Sequence, residues 1–97
     1  VTTTSVTPAV ASSLAVATYR SVKYQIQVSS GTNYTVTNII MIHDDTNVSL
    51  TGFGEIVIGT GLGTFDVDIT SGNIRLMFTA ATSTSTVVRV IATAINI

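Results

Sequence analysis

The 97-residue sequence is poor in charge and contains no cysteine and no tryptophan. Without cysteine the chain can form neither a disulfide framework nor a thiolate metal site. Charged residues make up 9% of the chain, against about 25% in a typical soluble domain. The cations Arg20, Lys23, Arg75 and Arg89 are scattered, and the net charge is −1. Because no basic stripe is present to neutralise phosphates, we expect no nucleic-acid partner.

Long apolar segments are also absent from the sequence. No apolar run approaches the roughly 20 residues that a helix needs to cross a bilayer, so we expect no membrane partner. The first residues, Val1 to Ser5, lack the charged and apolar regions of a signal peptide. The chain begins with valine rather than methionine, so we expect it to be processed, trimmed or a piece of a longer protein.

Hydroxyl side chains stand where lysine and glutamate usually cover a surface. The chain has 18 threonines and 10 serines. The branched side chain of threonine packs well on a pleated sheet, whereas the long flexible residues that favour helices are scarce. Composition therefore favours β-structure before any periodicity is considered.

Alternation of apolar and polar residues then places the strands. It is clearest from Val22 to Val28, and a hairpin is predicted from Phe65 to Phe78 around the turn Ser71-Gly72-Asn73. In that hairpin Asp66 or Asp68 can reach Arg75 across the strands. Seven to eight short strands about ten residues apart predict an antiparallel β-sandwich or jelly roll.

We expect residues 1–13, which include Pro8, to form an extended N-terminal arm and residues 14–97 to form the sandwich domain. The segment from Ile39 to Ile42 is apolar on both faces, so one face needs cover from another element or subunit. The predicted core is Val22, Tyr24, Ile26, Val28, Ile40, Ile42, Val57, Phe65, Val67, Ile69, Leu76, Phe78, Val88 and Val90. The predicted assembly surface is Ile39, Met41, Pro8 and Val10.

No motif in the sequence specifies catalysis. The loop Gly59 to Gly63 lacks the glycine spacing and the following helix of a phosphate site, and no cofactor is expected. His43, the only histidine, is expected on the surface at a strand end, where Asp44 points to the opposite face. No serine or threonine has both a base and an orienting group, so we expect no enzyme and no catalytic residue.

Two loops could recognise a ligand instead. The candidate recognition residues are Asp44, Asp45, Asn47, Thr60 and Leu62. The aspartates lack the longer pattern of a calcium loop, so we predict no metal site there, although a cation linked to assembly stays an alternative. A sugar-stacking platform of Tyr19, Tyr24 and Tyr34 is a further alternative, but Tyr24 has the register of a core residue.

Five ordered segments carry a family resemblance. They are Ala17 to Val28, Ile42-His43-Asp44, Gly54-Glu55-Ile56, Thr64 to Ile69, and Gly72 to Leu76. Together they resemble a domain common in structural proteins of tailed phages, mainly those infecting marine cyanobacteria and similar bacteria. The resemblance extends over about residues 14–95 and implies a β-sandwich unit of a virion, without catalytic residues or cofactors.

The resemblance therefore implies a structural virion protein. Its expected location is the surface of the extracellular particle, where it decorates the capsid or forms part of a tail or fibre. The expected partners are copies of itself and other virion proteins, because a small domain with few charges gains stability by burying surface in an assembly. The alternative function is a module of a fibre or adhesin that binds a glycan or receptor on the host surface.

Overall fold

The computed structural model describes every residue from Val1 to Ile97 and consists of strands, turns and short loops. The strands are β1 Thr2–Thr3, β2 Ala9–Ala15, β3 Tyr19–Ser30, β4 Asn33–His43, β5 Val48–Ile58, β6 Gly63–Thr70, β7 Asn73–Ala80 and β8 Thr86–Asn96. They form a five-stranded sheet A, in the order β1-β8-β3-β4-β5, and a three-stranded sheet B, in the order β2-β7-β6. All strand pairs are antiparallel, which confirms the predicted all-β sandwich. No helix has the length and apolar character needed to span a bilayer.

Short turns set the register of the two main hairpins. Ser71 and Gly72 join β6 to β7 with φ angles of 51° and 77°, as a two-residue type I′ turn requires. This turn pairs Asp68 with Arg75. Gly31 and Thr32 also form a two-residue loop, between β3 and β4, in which Gly31 has a φ of 59°. This loop pairs Tyr24 with Ile39. Because side chains alternate between faces, these turns also decide which residues reach the core.

The core lies between the inner faces of the two sheets. Sheet A contributes alternate residues of β3 and β4 and one residue of β8, and sheet B contributes alternate residues of β7 and one residue of β6. The buried apolar residues are Val22, Tyr24, Ile26, Val28, Ile39, Met41, Val67, Ile74, Leu76, Phe78, Ala80 and Val88. Each large apolar side chain that is removed from water contributes about 1.5–3 kcal/mol to folding before entropy is counted.

The predicted orientation of β4 was wrong. Ile39 and Met41 are buried, with exposed fractions of 5% and 1%, whereas Ile40 and Ile42 are 44% and 53% exposed. Ile39 lies opposite the core residue Tyr24 and therefore shares its face. Ile39 and Met41 cannot form an assembly surface in the folded chain, because they already pack between the sheets.

Four further core predictions fail or are only partly met. Val57, on the edge strand β5, is exposed. Phe65, Ile69 and Val90 are only half-buried, although Phe65 still packs against Phe78 with ring centroids 5.0 Å apart. The three-stranded sheet B is narrower than sheet A, so the margins of the larger sheet's inner face stay accessible.

The segment 1–13 is extended but is not an arm separate from the sandwich. β1 pairs with β8, and the amino group of Val1 donates a hydrogen bond to the carbonyl of Val88 at 2.8 Å. β2 is a full strand of sheet B and pairs with β7. Pro8 and Val10 are exposed, as expected, but Val10 lies on the outer face of sheet B.

Candidate functional site

The outer face of sheet A is the largest apolar surface of the molecule without a partner. We call it the sheet-A outer face; it is formed by the side chains of β3, β4, β5 and β8 that point away from sheet B. Its exposed large apolar residues are Tyr34, Ile40, Ile42, Phe53, Ile56, Ile58, Ile91 and Ile95. Single exposed apolar residues are common, but six of these lie together on the adjacent strands β4 and β5, and such a group marks an interaction surface.

A polar stripe runs along the centre of this face. It follows β3, with Lys23, Gln25 and Gln27 between the apolar residues of β4 on one side and β8 on the other. Lys23 lies over the ring of Phe53, with the ammonium 5.9 Å from the ring centroid. Lys23 and Arg89, the latter paired with Gln27, are the charged residues that project from these paired rows. The face thus combines an apolar surface with two cations and no carboxylate.

One margin of the face is also a free sheet edge. β5 is 11 residues long, pairs with β4 only and is exposed along nearly its whole length. A bulge interrupts it between the pairs Val36–Ile56 and Asn38–Phe53, where two residues of β5, Gly54 and Glu55, lie opposite the single residue Thr37. Gly54 adopts a φ of 66° there, a backbone conformation that occurs at bulges and would be strained in any residue with a side chain.

The outer face of sheet B differs in composition. It carries Asp66, Asp68, Arg75 and threonines, with Val10 and Met77 as its larger apolar side chains. Arg75 donates two hydrogen bonds to Asp68, from Nε to Oδ1 and from Nη2 to Oδ2, both at 2.8 Å. These bonds are the largest cause that lowers the pKa of Asp68, and they raise the pKa of Arg75. The predicted cross-strand ion pair is confirmed, with Asp68 as the partner.

His43 is buried, which corrects its predicted position on the surface. Its side chain is 0% exposed. Nε2 lies 2.6 Å from the carbonyl of Tyr19, and Nδ1 accepts a hydrogen bond from the amide of Asp45 at 2.9 Å. A carbonyl can only accept, so Nε2 carries the proton and the ring is neutral. The 3.6 Å separation of Nδ1 from Asp45 Oδ1 is therefore not an ion pair.

Arg20 completes this polar cluster. Its Nη1 atom donates to the carbonyl of His43 at 2.9 Å and to Asp45 Oδ1 at 3.2 Å. The cluster joins the beginning of β3 to the end of β4. Both ring nitrogens of His43 are engaged within the chain, so this geometry offers no free base for a substrate. Its hydrogen bonds stabilise the contact between these two strand ends.

The burial of His43 could have been found from the sequence. Counting outwards from the two-residue turn at Gly31 and Thr32 places His43 on the same face as Ile39 and Met41. The hydrogen bond to the carbonyl of Tyr19 has no sequence signal, because it depends on how β3 begins.

The predicted recognition residues Asp44, Asp45 and Asn47 form a turn. Asp44 Oδ1 accepts hydrogen bonds from the amides of Thr46 and Asn47 at 3.1 and 2.7 Å. These bonds, with that of Asn47 the largest cause, lower the pKa of Asp44. Asp45 adopts a φ of 79°, as Asp tolerates in turns. The carboxylate of Asp44 is thus used by its own turn.

The second predicted loop lies at the other end of the molecule. Thr60 and Leu62 follow β5, whereas the Asp44 turn precedes it, so about 35 Å of extended strand separates the two loops. The amide of Thr60 donates to Asn33 Oδ1 at 3.1 Å, and Leu62 packs against the core. The structure therefore does not combine these residues into one recognition site.

The three tyrosines differ in burial and do not form one surface. Tyr24 is fully buried, Tyr19 is half-buried, and Tyr34 is exposed on the sheet-A outer face. Burial raises the pKa of Tyr24 to about 12. Its hydroxyl has no hydrogen-bond partner in the chain. Tyr24 cannot join a sugar-stacking platform, because its ring lies between the sheets.

Comparison of the chain with models of protein families, with curated proteins and with solved structures finds no match.

Proposed function

We propose that this chain is a non-catalytic structural subunit that functions through contacts with other subunits. The observation that carries the proposal is the sheet-A outer face, which presents eight exposed large apolar residues from three neighbouring or nearby strands, among them Tyr34, Ile56 and Ile91. A domain that acts alone in water leaves few such residues contiguous, because each is more stable when covered.

The neighbouring sheet edge supports the same function. Edge strands of proteins that act alone are usually short, or are protected by lysine, proline or a covering loop. β5 has 11 residues, no lysine and no proline. Its protective features are the bulge at Gly54 and the charged residue Glu55 beside it. An interface beside this edge would shield it from unwanted pairing.

The setting that we propose is the virion of a tailed bacteriophage. The support for this setting is the resemblance of the segments Ala17 to Val28 and Thr64 to Ile69 to domains of phage structural proteins. In that setting the sandwich is a unit on the capsid, or in a tail or fibre, and its partners are copies of itself and other virion proteins.

The virion setting is tested with phage particles from a culture that produces this chain. Particles are separated from free protein on a density gradient, and peptides of the chain are quantified by mass spectrometry in each fraction. We expect the chain to migrate with the particles at a fixed ratio to the major coat protein, and antibody against it to label one part of the particle. Recovery of the chain only in the free-protein fractions would contradict the proposal.

A further inference from the structure

We propose that the sheet-A outer face packs against the same face of a second copy of the chain, about a two-fold axis that crosses the strands at Gln25. This inference rests on the proposed function, since it names the partner that covers the apolar surface. Three properties of the face support this contact: its area, the pattern of its rows, and the position of its cations.

The area of the face fits a dimer. Four of its strands, β3, β4, β5 and β8, have 11 or 12 residues. At about 4.8 Å between strands and 3.4 Å per residue, they cover about 700 Å². A stable interface of standard size buries about 600–1,000 Å² per partner. The face is therefore large enough to hold a second copy without a contribution from the rest of the surface.

The outward side chains are arranged in five rows across the sheet. From β5 through β4 and β3 to β8, the rows are Ser49–Ile42–Ser21–Ile95, Thr51–Ile40–Lys23–Thr93, Phe53–Asn38–Gln25–Ile91, Ile56–Val36–Gln27–Arg89 and Ile58–Tyr34–Ser29–Val87. Gln25 lies in the middle row. A two-fold axis along that row brings each strand against its own copy and reverses the order of the rows.

This reversal brings apolar residues together. Ile40 then faces the partner's Val36, and Ile42 faces the partner's Tyr34. Phe53 and Ile91 lie in the middle row and meet their own copies. Residues that meet across such an axis form an isologous interface, in which each favourable contact away from the axis occurs twice.

The cations select this axis over the main alternative. With the axis across the strands, Lys23 faces the partner's Gln27 and Arg89 faces the partner's Thr93, so neither cation meets an apolar side chain or another cation. With the axis along the strands, between β3 and β4, Lys23 would lie on the partner's Ile40. Burying a charge against apolar groups without a hydrogen bond is costly, so the first arrangement is favoured.

Cross-linking of single-cysteine variants tests the proposal. The chain has no cysteine of its own, so each variant reports one position. Stacked sheets lie about 10 Å apart, which is too far for most direct disulfides, and a short bis-maleimide linker is therefore used. Gln25→Cys lies on the axis, and we expect its covalent dimer to form at least tenfold faster than that of either control variant.

Two matched controls lie on exposed or half-exposed strand positions. Ser29→Cys is on the same face, but the proposed axis places the partner's Ser29 opposite Ser21. Ser21 is about 27 Å along β3 from Ser29, so the two introduced thiols are far apart. Ser13→Cys is on the outer face of sheet B. Neither is expected to cross-link above the rate of a monomeric thiol protein. Equal cross-linking of all three variants, or efficient linking of Ser13→Cys alone, would overturn the proposal.

The outcome is separate from that of the particle experiment. A dimer linked through Gln25 in a chain that is absent from particles would support this inference and contradict the virion setting. A chain that migrates with particles but shows no preferential linking at Gln25 would keep the setting and overturn the two-fold contact. Linking that is efficient only for Thr51→Cys, on the edge strand β5, would indicate edge pairing instead and also overturn it.

Discussion

The outer faces of the two sheets belong to one small sandwich but differ in the surface that they are suited to meet. The outer face of sheet B carries Asp66, a paired Asp68 and Arg75, and hydroxyl side chains. The sheet-A outer face carries isoleucines and aromatic rings beside two cations. One face satisfies its charges within the chain and meets water, whereas the other leaves apolar area without cover.

The difference shows that apolar residues on a strand do not by themselves identify the core. In β4 both faces are rich in apolar residues, and the more polar of the two faces, with Thr37 and His43, is the buried one. The outward residues Ile40 and Ile42 are then available for a partner. An apolar face of an open sheet can therefore be a second interface rather than part of the core.

The largest expected effect separates the two faces of β4. Ile39→Ala removes a buried side chain, and we expect it to lower the free energy of unfolding by about 3 kcal/mol. Ile40→Ala changes an exposed position, so its effect on the monomer should stay below about 0.5 kcal/mol. Urea unfolding at low protein concentration compares the two. A larger loss for Ile40→Ala would mean that the orientation of β4 is the reverse of that described.

A smaller effect is expected from the inner face of sheet A. The hydroxyl of Tyr24 is buried without a partner, so Tyr24→Phe removes a desolvated polar group. We expect the free energy of unfolding to rise by about 1 kcal/mol. Tyr34→Phe, at an exposed position, is the control and should have no measurable effect. If Tyr24→Phe instead lowered the stability, the hydroxyl would have to bond within the folded chain.

The smallest expected effect concerns the ion pair between Asp68 and Arg75 on the outer face of sheet B. Hydrogen bonds from Arg75 keep the pKa of folded Asp68 below its usual value. A depressed pKa contributes stability above the unfolded value, near 4, and loses it as the pH falls through the folded value. Asp68→Asn should therefore be slightly less stable than the wild type at neutral pH and equal to it in strong acid.

Urea midpoints measured across this pH range check the prediction. Asp66→Asn is the matched control, because Asp66 lies on the same face without the bond to Arg75. If the difference in urea midpoint between the wild type and Asp68→Asn stayed constant down to strong acid, the ion pair would not be the cause of that difference.

Much of the fold could be predicted from the sequence because its local signals agree. The alternation from Val22 to Val28 lies in the β3–β4 hairpin, the turn at Ser71 and Gly72 lies in the β6–β7 hairpin, and each signal is local to its own hairpin. The face of β4 could also have been obtained by counting from the turn at Gly31, which pairs Tyr24 with Ile39. Apolar content alone favoured Ile40 and Ile42 and therefore gave the wrong face.

The candidate surface was harder to predict because it depends on which elements cover each other. The outer face of sheet A is exposed because sheet B packs on its other face and no further element of the chain covers it, and no residue of β5 indicates this arrangement. The docking of β1 on β8 likewise joins the two ends of the chain. Such long-range pairings follow from the whole arrangement of strands rather than from any local pattern.

The most direct test of the assembly surface is the molar mass in solution of three forms of the chain, measured by light scattering over a series of concentrations. The wild type should approach twice the chain mass. Ile42→Glu places a charge opposite the partner's Tyr34 and should weaken dimerisation about tenfold or more. Val10→Glu, a matched change on the outer face of sheet B, should dimerise as the wild type does. A wild type that stays monomeric at the highest concentration, or a dimer lost only in Val10→Glu, would contradict the account.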